Sequence, residues 1–401
     1  MQAVIMAGGK GTRIASVNSE VPKPLLKIAG NPILVWQILA LEKQGINEFI
    51  ICVGHLGEKI KNYLKDGSEL GVSIRYITEK EPLGTAGALY FLKDDIKEDF
   101  LLLNGDIIFD FDLQRFYTHH KRNSCIATIF THPNSHPYDS GIIESDAIGK
   151  VTKWLHKEDT RTWYKNRVNA GIHMLSPKVF DFFEELRKGE LYVYDSPEYV
   201  KDMGTPDRYY AVEKDILSGR VNAKNLNNRQ RAVFLDRDGT LNQYVGFLRD
   251  IKDFKLLPYS VDLVKKINNS GYLAIVVTNQ PVIARGEVTW EQLNEIHNKM
   301  ETLLGEEGAY VDDIFVCPHH PDKGFTGEVP EYKVECECRK PKPGLIFAAA
   351  EKYNIDLKNS YMIGDSESDM QAGKAAGCKC IKIERNEESF ESWIDDLKLQ
   401  F

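Results

Sequence analysis

Glycines and cations follow the first apolar run of the sequence. After the run Ala3–Met6, residues Ala7–Arg13 read Ala-Gly-Gly-Lys-Gly-Thr-Arg. Glycines let a backbone approach a ligand closely, and successive N–H groups can form a nest for an anion. Lys10 and Arg13 add positive charge to the same loop. The pattern indicates binding of an anion such as phosphate, and an ordinary tight turn is the alternative.

A lysine between two prolines lies ten residues further along the chain. Proline fixes φ on both sides of Lys23, in the order Pro22-Lys23-Pro24, so this cation is held rather than free. A surface loop would explain this motif or the glycine-rich loop alone, but it explains the two together poorly. The first part of the chain is therefore a candidate phosphate-binding site.

Acidic residues mark the ends of apolar runs in the second part of the chain. Asp236 and Asp238 follow the run Ala232–Leu235, and both can face one cleft if the chain turns between them. The run Leu273–Val277 ends in Thr278-Asn279-Gln280, and Lys340 precedes a proline in Lys-Pro-Lys-Pro. A further run, Tyr361–Ile363, is followed by Gly364 and by the acids Asp365, Glu367 and Asp369. Together these groups predict a second site.

Three of the seven cysteines are clustered in the second part of the chain. Cys317, Cys336 and Cys338, with His319, supply three thiolates and one imidazole, a set that suits tetrahedral Zn²⁺. Four protein ligands leave no open position, so we expect a structural rather than a catalytic metal. Buried free cysteines are the alternative. The odd number of cysteines makes a disulfide framework improbable in a chain without a secretion signal.

These residues need strand ends to position them, and the sequence supplies two series of strands. Near-continuous apolar runs separated by helical stretches predict parallel sheets covered on both faces. We therefore predict an α/β fold with two Rossmann-like domains, at residues 1–218 and 231–401, joined by a polar linker at 219–230. The predicted strands are 3–6, 49–53, 74–77 and 100–103 in the first series, and 232–235, 273–277, 314–316, 361–363 and 380–383 in the second; helices are predicted at 34–43 and 86–92.

Composition limits the classes of protein that this chain can represent. The 401 residues are 42% hydrophobic, which excludes wholesale disorder. The formal net charge of −8 weighs against non-specific nucleic-acid binding. No apolar run is long enough to cross a bilayer, and the first residues lack the basic region of a signal peptide. We expect a cytoplasmic enzyme acting on small molecules, without nucleic-acid or membrane partners; a homo-oligomer is compatible with the sequence.

The motifs of the first part together resemble those of sugar-1-phosphate nucleotidyltransferases. Besides the two motifs above, the matching segments are 81–87, 104–106 and 201–206. The resemblance implies catalytic roles for Arg13 and Lys23, which would hold the triphosphate and neutralise the α-phosphate, and Mg²⁺ binding by Asp106 and Asp202. It also implies nucleotide binding by Gly8, Gly9, Gly11, Thr12, Arg13, Lys23, Glu79, Gly84 and Thr85, and sugar-phosphate binding by Gly141, Lys157 and Asn169.

The chemistry agrees with these implied roles. Attack of a sugar-phosphate oxygen on the α-phosphorus brings two anions together and expels pyrophosphate. Fixed cations and a hard metal ion are therefore the main contributions that such a site must make. No side-chain nucleophile is required, because the attacking phosphate is already ionised.

The motifs of the second part resemble the haloacid dehalogenase superfamily of phosphatases. The resemblance implies that Asp236 is the nucleophile, that Asp238 is the acid and base, and that Mg²⁺ is held by Asp236, Asp238 and Asp365. It implies substrate binding by Thr278, Asn279, Arg339 and Lys340. The segments Ile283–Gly286 and Cys317–Pro321 are similar to those of heptose bisphosphate 7-phosphatases, with histidinol-phosphate phosphatases as close relatives. In those families the cysteine loop holds structural zinc.

The two resemblances name consecutive reactions. A 7-phosphatase that spares the anomeric phosphate yields a sugar 1-phosphate, which is what a nucleotidyltransferase consumes. We therefore predict a bifunctional enzyme of nucleotide-activated heptose synthesis, of the kind used for lipopolysaccharide or S-layer glycans, with GTP as the favoured nucleotide. Two alternatives remain. The same folds could act on other sugars, as a mannose 1-phosphate guanylyltransferase beside a histidinol-phosphate-like phosphatase, or one domain could be a non-catalytic sugar-nucleotide sensor.

Overall fold

The chain folds into two compact units in the computed structural model, which describes residues 1–9, 14, 21–79, 89–183, 191–386, 389 and 397–399. Unit 1 comprises residues 1–132, 145–154 and 169–225, and unit 2 comprises residues 133–144, 155–168 and 226–401. Two short segments inside the range predicted for the first domain thus pack in unit 2. Within the described part of the chain, none of the helices is long and apolar enough to cross a bilayer.

Unit 1 is built on a sheet whose central strands run in the order β11-β6-β1-β4-β5. Strand β1 pairs in parallel with β4 and β6, and β4 pairs in parallel with β5, as the apolar runs predict. Strand β11 departs from that prediction because it is antiparallel to β6. In the described part of residues 1–202, the strands are β1 (Ala3–Ala7), β2 (Lys27–Ile28), β3 (Asn31–Pro32), β4 (Glu48–Val53), β5 (Ser73–Thr78), β6 (Phe100–Asn104), β7 (Ile107–Asp110), β8 (Ala127–His132), β9 (Ile142–Ser145), β10 (Val151–Leu155), β11 (Val168–Leu175), β12 (Leu191–Asp195) and β13 (Tyr199–Asp202).

Helices cover this sheet and bury its apolar side chains. Residues of β1, β4 and β6 form one core with the inner face of α1, where Leu34, Ile38 and Leu41 are fully buried. Among the residues of unit 1 that the structure describes, the helices are α1 (Ile33–Glu42), α2 (Gly57–Leu64), α3 (Leu113–Asn123), α4 (Pro206–Leu217) and α5 (Arg220–Ala223). The predicted helix at 34–43 is confirmed within one residue, whereas part of the one at 86–92 lies outside the described residues.

Unit 2 contains a five-stranded sheet in which every pairing is parallel. The strand order β16-β15-β14-β17-β18 places β14 at the centre, between β15 and β17. The strands are β14 (Ala232–Leu235), β15 (Leu273–Asn279), β16 (Asp313–Cys317), β17 (Tyr361–Gly364) and β18 (Lys379–Lys382), and the helices are α6 (Ser260–Ser270), α7 (Pro281–Ala284), α8 (Trp290–Glu306), α9 (Gly344–Tyr353) and α10 (Glu367–Ala376). The carboxyl ends of β14, β15 and β17 therefore meet at one edge of the sheet.

Residues 155–168 pack against α8 within unit 2. The Tyr164 amide donates to Thr302 Oγ1 at 3.0 Å, and the Asn166 amide donates to Glu301 Oε2 at 3.0 Å. Helix α8 also comes close to Pro137, because a Cβ at Gly305 would lie 2.7 Å from the Pro137 ring. Helix α8 of unit 2 is thus contacted by two segments that lie far upstream of it in the sequence.

The polar segment predicted as a linker is partly folded and buried. It contains α5, and Asn225 is 6% exposed while its side-chain amide donates to Asp110 Oδ1 at 2.7 Å. Further along, Leu226 is buried in unit 2, and its carbonyl accepts a hydrogen bond from the Asn354 side chain at 3.0 Å. Polar composition thus did not make this segment an extended tether, because Asn225 and Leu226 are buried and hydrogen-bonded to residues of units 1 and 2, respectively.

Candidate active sites

The candidate site in unit 1 forms where β1 and β6 end side by side. The amide of Gly105 donates to the Met6 carbonyl at 2.9 Å, and a Cβ at Gly105 would lie 2.8 Å from that oxygen. Only glycine fits this close approach, which places the next residue, Asp106, beside the end of β1. Lys23 Nζ reaches Asp106 Oδ2 at 2.5 Å, and the Lys23 side chain is only 8% exposed. The structure therefore brings together two of the residues predicted from sequence, Lys23 and Asp106.

Asp202 lies at the end of β13, where it pairs with Ile107, the residue that follows Asp106. Strand β13 is antiparallel to β7, and the amide of Met203 donates to the Asp106 carbonyl at 3.1 Å. The Asp202 carboxylate accepts two hydrogen bonds from Arg208 Nη1, both at 3.0 Å, and one from the Gly204 amide at 2.8 Å. Both predicted Mg²⁺ ligands thus lie at neighbouring strand ends, and each carboxylate is paired with a cation.

The predicted nucleotide-binding residues are only partly within the described structure. Gly8 follows β1, and a Cβ there would lie 2.5 Å from Glu79 Oε2, so Gly8 and Glu79 are in close contact. Gly9 lies at the same turn, exposed to solvent. The predicted residues Gly11, Thr12, Arg13, Gly84 and Thr85 lie outside the described residues.

The three predicted sugar-binding residues are divided between the units. Asn169 belongs to unit 1, where its Oδ1 accepts from the Gly171 amide at 2.9 Å. Gly171 has a φ of +73°, and a Cβ there would lie 2.5 Å from Asn104 Nδ2, so Asn169 is near the end of β6 that carries Asp106. Gly141 and Lys157 belong to unit 2, and Lys157 forms an ion pair with Glu158 at 3.7 Å.

The candidate site in unit 2 is centred on a buried lysine between two aspartates. Lys340 Nζ lies 2.7 Å from Asp236 Oδ1 at the end of β14 and 2.6 Å from Asp369 Oδ1 in α10. The same ammonium donates to the Val277 carbonyl on β15 at 2.8 Å. Burial disfavours the cation, but Asp236 and Asp369 outweigh this effect and raise the pKa of Lys340. Lys340 thus stays charged at the strand ends.

The carboxylate of Asp238 is held by three donors. Arg237 Nη2 donates to both of its oxygens, at 2.9 and 2.8 Å, while Gln280 Nε2 donates at 2.8 Å and Asn242 Nδ2 at 3.0 Å. Burial opposes ionisation of Asp238, but Arg237 and these hydrogen bonds outweigh it and lower the pKa. Gly239 allows the turn that places Asp238, since its φ is +90° and a Cβ would meet Asp365 Oδ2 at 2.6 Å.

Asp236 is in the opposite electrostatic situation. Burial raises its pKa to about 7, with further contributions from the Asp369 and Asp238 carboxylates, although Lys340 opposes the shift. Oxygens of Asp236, Asp365 and Asp369 lie within 4.8 Å of one another. A cluster of carboxylate oxygens is the donor set that a hard cation such as Mg²⁺ prefers. A divalent charge there would offset the repulsion among the three carboxylates. The residues present therefore fit a Mg²⁺ site.

The other predicted substrate-binding residues line the same pocket. Thr278, Asn279, Arg339 and Lys340 all face it, together with Asp236 and Asp238. The Asn279 side chain also bonds the Lys340 backbone in both directions, at 3.0 and 3.1 Å, and so holds the loop that carries the lysine. Arg339 Nη1 donates to the His319 carbonyl at 3.1 Å, which links this loop to the cysteine cluster.

The four predicted zinc ligands converge. Cys338 Sγ lies 3.2 Å from Cys317 Sγ, 3.3 Å from Cys336 Sγ and 3.2 Å from His319 Nδ1. Ligands at tetrahedral Zn–S and Zn–N distances would be about 3.6–3.8 Å apart, so the set fits zinc after a small expansion. Hydrogen bonding from Cys317 lowers the pKa of Cys338 to about 5 and raises that of Cys317. His320, which follows His319 in the sequence, is not one of these four converging residues.

Several residues of the unit 2 site carry no role in the sequence-based prediction. Arg385 pairs with Asp365, and Arg237 Nη1 lies 3.0 Å from His297 Nε2. Tyr244 and Phe247 line the pocket. Arg237 could have been found from the sequence, because it lies between Asp236 and Asp238 at a strand end. Arg385 and His297 could not, because they come from distant elements.

Comparisons with known proteins follow the same division of the chain. The family model for nucleotidyl transferases matches residues 2–218, and the HAD-hydrolase-like model matches residues 337–392. The first match covers more than half of the sequence. The chain therefore belongs to the nucleotidyl transferase family.

The second part of the chain is similar to curated phosphatases. It is 41% identical over 165 residues to the D-glycero-alpha-D-manno-heptose-1,7-bisphosphate 7-phosphatase of Photorhabdus laumondii, covering 41% of this chain and 88% of that protein. It is 43% identical over 145 residues to the D-glycero-beta-D-manno-heptose-1,7-bisphosphate 7-phosphatase of Yersinia pestis, covering 36% and 75%. The chain thus also belongs to this phosphatase family. Among solved structures, HddC from Yersinia pseudotuberculosis is 26% identical, with 54% of this chain and 99% of that chain covered and a TM-score of 0.47.

Proposed function

We propose that this chain is a bifunctional enzyme that hydrolyses the 7-phosphate of D-glycero-D-manno-heptose 1,7-bisphosphate and then transfers a nucleotidyl group to heptose 1-phosphate. The observation that carries the proposal is the cluster of Asp236, Lys340, Asp365 and Asp369 at the strand ends of unit 2, in a chain that also contains a nucleotidyl transferase. Removal of the 7-phosphate would leave heptose 1-phosphate, and the remaining phosphate is the acceptor that a sugar-1-phosphate nucleotidyltransferase needs.

In the phosphatase reaction, an Asp236 oxygen would attack phosphorus and the bond from phosphorus to the C7 oxygen would break. A protonated Asp238 carboxyl group would give its proton to the leaving alkoxide and become the carboxylate that Arg237, Gln280 and Asn242 stabilise, and an aspartyl-phosphate would remain. Asp238 would then take a proton from the water that attacks phosphorus, which releases inorganic phosphate and restores Asp236. The ammonium of Lys340, 2.7 Å from Asp236 Oδ1, would hold a phosphate oxygen against the nucleophile.

Asp236, Asp365 and the main-chain carbonyl of Asp238 are the proposed ligands of Mg²⁺ in unit 2. The ion would supply charge neutralisation, so that an anionic nucleophile and a phosphate dianion can approach each other. Asp369 would support the site, since its carboxylate caps α10 and pairs with Lys340. Cys317, His319, Cys336 and Cys338 would hold structural Zn²⁺ and thereby fix the loop that presents Arg339 and Lys340.

In the transfer reaction, a phosphate oxygen of heptose 1-phosphate would attack the α-phosphorus of the nucleotide while the bond to the β-phosphate breaks. Lys23 would hold the α-phosphate, and Asp106 and Asp202 would hold Mg²⁺, which would supply charge neutralisation. The glycine-rich loop at Gly8 and Gly9 would carry the triphosphate, with Glu79 beside the nucleoside. GTP is the nucleotide that we propose first, because the first part of the chain resembles guanylyltransferases of this kind.

The proposal is tested by mass spectrometry of the purified protein with Mg²⁺, heptose 1,7-bisphosphate and each nucleoside triphosphate in turn. We expect a nucleoside diphosphate heptose with one of them, and GTP first. Heptose 1-phosphate without nucleotide transfer would support the phosphatase and contradict the sugar assigned to the transferase. Absence of any reaction would contradict both and favour the alternative sugars or a sensor.

One variant separates the two activities. Asp236→Asn should abolish phosphate release, because an amide cannot form the aspartyl-phosphate, and should leave transfer to supplied heptose 1-phosphate intact. Asp253→Asn, at an exposed position of unit 2, is the matched control and should change neither activity. Loss of both activities in Asp236→Asn would contradict the two-site proposal.

A further inference from the structure

Helix α8 carries two buried ionisable residues on one face. His297 and Glu301 are four residues apart, so their side chains project from the same side of the helix. They are 6% and 2% exposed, although the rest of the buried face consists mainly of apolar residues such as Leu293 and Met300. Buried polar groups are costly unless they are paired, so the partners of these two side chains indicate what the face does.

The partner of His297 leads directly to the acid and base carboxylate. His297 Nε2 lies 3.0 Å from Arg237 Nη1, and a guanidinium can only donate, so the imidazole nitrogen accepts. Burial, together with the Arg237 charge, lowers the pKa of His297 to about 3, which keeps the ring neutral and able to accept. The same guanidinium, completely buried, donates to both oxygens of Asp238.

The partner of Glu301 anchors the helix at the other end of this face. Glu301 Oε2 accepts from Arg167 Nη1 at 3.1 Å and from the Asn166 amide at 3.0 Å. Arg167 is 3% exposed, and its Nη2 also donates to the Asp312 carbonyl at 2.9 Å. Helix α8 is therefore fixed one turn away from His297 by a segment that belongs to the nucleotidyl transferase match.

We propose that His297 is a positioning residue for Asp238, acting through Arg237, and that the contact of Glu301 with Arg167 keeps His297 in place. This inference rests on the proposed phosphatase function, in which Asp238 transfers the protons. A guanidinium is a planar, rigid fork, so fixing one of its nitrogens fixes the direction of the others. Loss of the acceptor at His297 would leave Arg237 with an unpaired buried donor and free it to rotate, which would move Asp238 away from the leaving oxygen.

The inference is tested with two substitutions at one position. His297→Leu removes the acceptor at similar volume, whereas His297→Gln keeps an acceptor oxygen on the same side of α8. We expect kcat for phosphate release to fall at least about tenfold in His297→Leu, which is typical when a group that orients a reacting residue is lost. KM should stay within about twofold, because Asp238 does not bind the ground-state phosphate. His297→Gln should recover most of kcat.

Two controls distinguish positioning from a loss of fold. Nucleotide transfer to supplied heptose 1-phosphate should be unchanged in both variants, and Asn294→Leu, at an exposed position of α8, should leave both activities unchanged. A crystal structure of His297→Leu should show the Arg237 guanidinium turned and Asp238 displaced. Unchanged Arg237 and Asp238 geometry would overturn the inference, as would equal kcat in the Leu and Gln variants.

The same experiment separates this inference from the proposed function. A wild-type protein that releases no phosphate from heptose bisphosphate would contradict the proposed function, whereas the crystal structure of His297→Leu would still decide the positioning role. Wild-type activity with an unaffected His297→Leu variant would contradict only the inference. Arg167→Met should lower phosphatase kcat in the same direction as His297→Leu, and an unchanged kcat there would overturn the anchoring part.

Discussion

Removal of the guanidinium of Arg167 is the perturbation whose effect the structure specifies most closely. Arg167 and Glu301 are 3% and 2% exposed and lie 3.1 Å apart. In Arg167→Met the Glu301 carboxylate stays buried, with the Asn166 amide as the one remaining donor of the two described above. Breaking one side of a buried ion pair costs about 3–5 kcal/mol, because the remaining charge has lost its compensation.

The cost should appear in the thermal unfolding of unit 2. For a unit of this size, about 3–5 kcal/mol corresponds to a decrease in Tm of about 6–20 °C. Differential scanning calorimetry of the full chain measures the decrease directly. Lys266→Met, which removes an exposed cation from α6 of unit 2, is the matched control and should change stability by less than about 0.5 kcal/mol.

A double variant tests the reasoning itself. Arg167→Met combined with Glu301→Gln removes both charges, while the glutamine oxygen can still accept from the Asn166 amide. Because the loss in the single variant comes from an uncompensated charge, the double variant should recover most of the stability. A decrease below about 1 kcal/mol in Arg167→Met would refute the argument, and so would a double variant no more stable than the single one.

Three further predictions concern separate parts of the molecule. Asp106→Ala should stop pyrophosphate release, since the carboxylate paired with Lys23 is lost, and should leave phosphate release unchanged; a simultaneous loss of phosphatase activity would contradict separate sites. Cys338→Ser should lower the zinc content measured by mass spectrometry from about one ion per chain, because Cys338 contacts the three other ligands; full zinc content would contradict the assignment. His297→Gln should reduce the loss of stability on acidification. Burial lowers the pKa of His297 in the folded protein to about 3, against an ordinary 6.5, so the unfolded chain binds a proton in this range and the folded chain does not. The wild type therefore loses stability as the pH falls from 6.5 towards 3, by about 1.4 kcal/mol per pH unit for this group. Parallel thermal unfolding curves of wild type and variant between pH 6.5 and 4.5 would contradict that prediction.

The strands and the active-site motifs were largely accessible from the sequence. Every predicted strand of both series is present, with ends shifted by at most two residues, because buried parallel strands require continuous apolar runs. An acid that follows an apolar run, directly at Asp236 and after Asn104-Gly105 at Asp106, then placed both aspartates at strand ends. The need for glycine at positions 105 and 239 came from the structure, which shows a close backbone contact at Gly105 and a positive φ at Gly239.

The candidate zinc ligands in the second part of the chain could also be predicted from short sequence motifs. Two short motifs each supplied two ligands, and the metal-binding chemistry of thiolate and imidazole predicted that they would meet. The structure brings all four within 4.8 Å of one another. The sequence could state the ligand set because the number and type of donors, rather than the path of the chain, define such a site.

What the sequence determined by itself was therefore the α/β class, the strands, and the chemistry at the strand ends. The tertiary structure decided which charges become partners: Arg237 meets His297 across 60 positions, and Arg385 meets Asp365. It also decided that residues 155–168 pack on α8, although the sequence assigns them to the first domain. Local patterns fix a helix or a strand over a few residues, whereas a buried arginine is compensated by whichever acceptor the packing of distant elements places beside it.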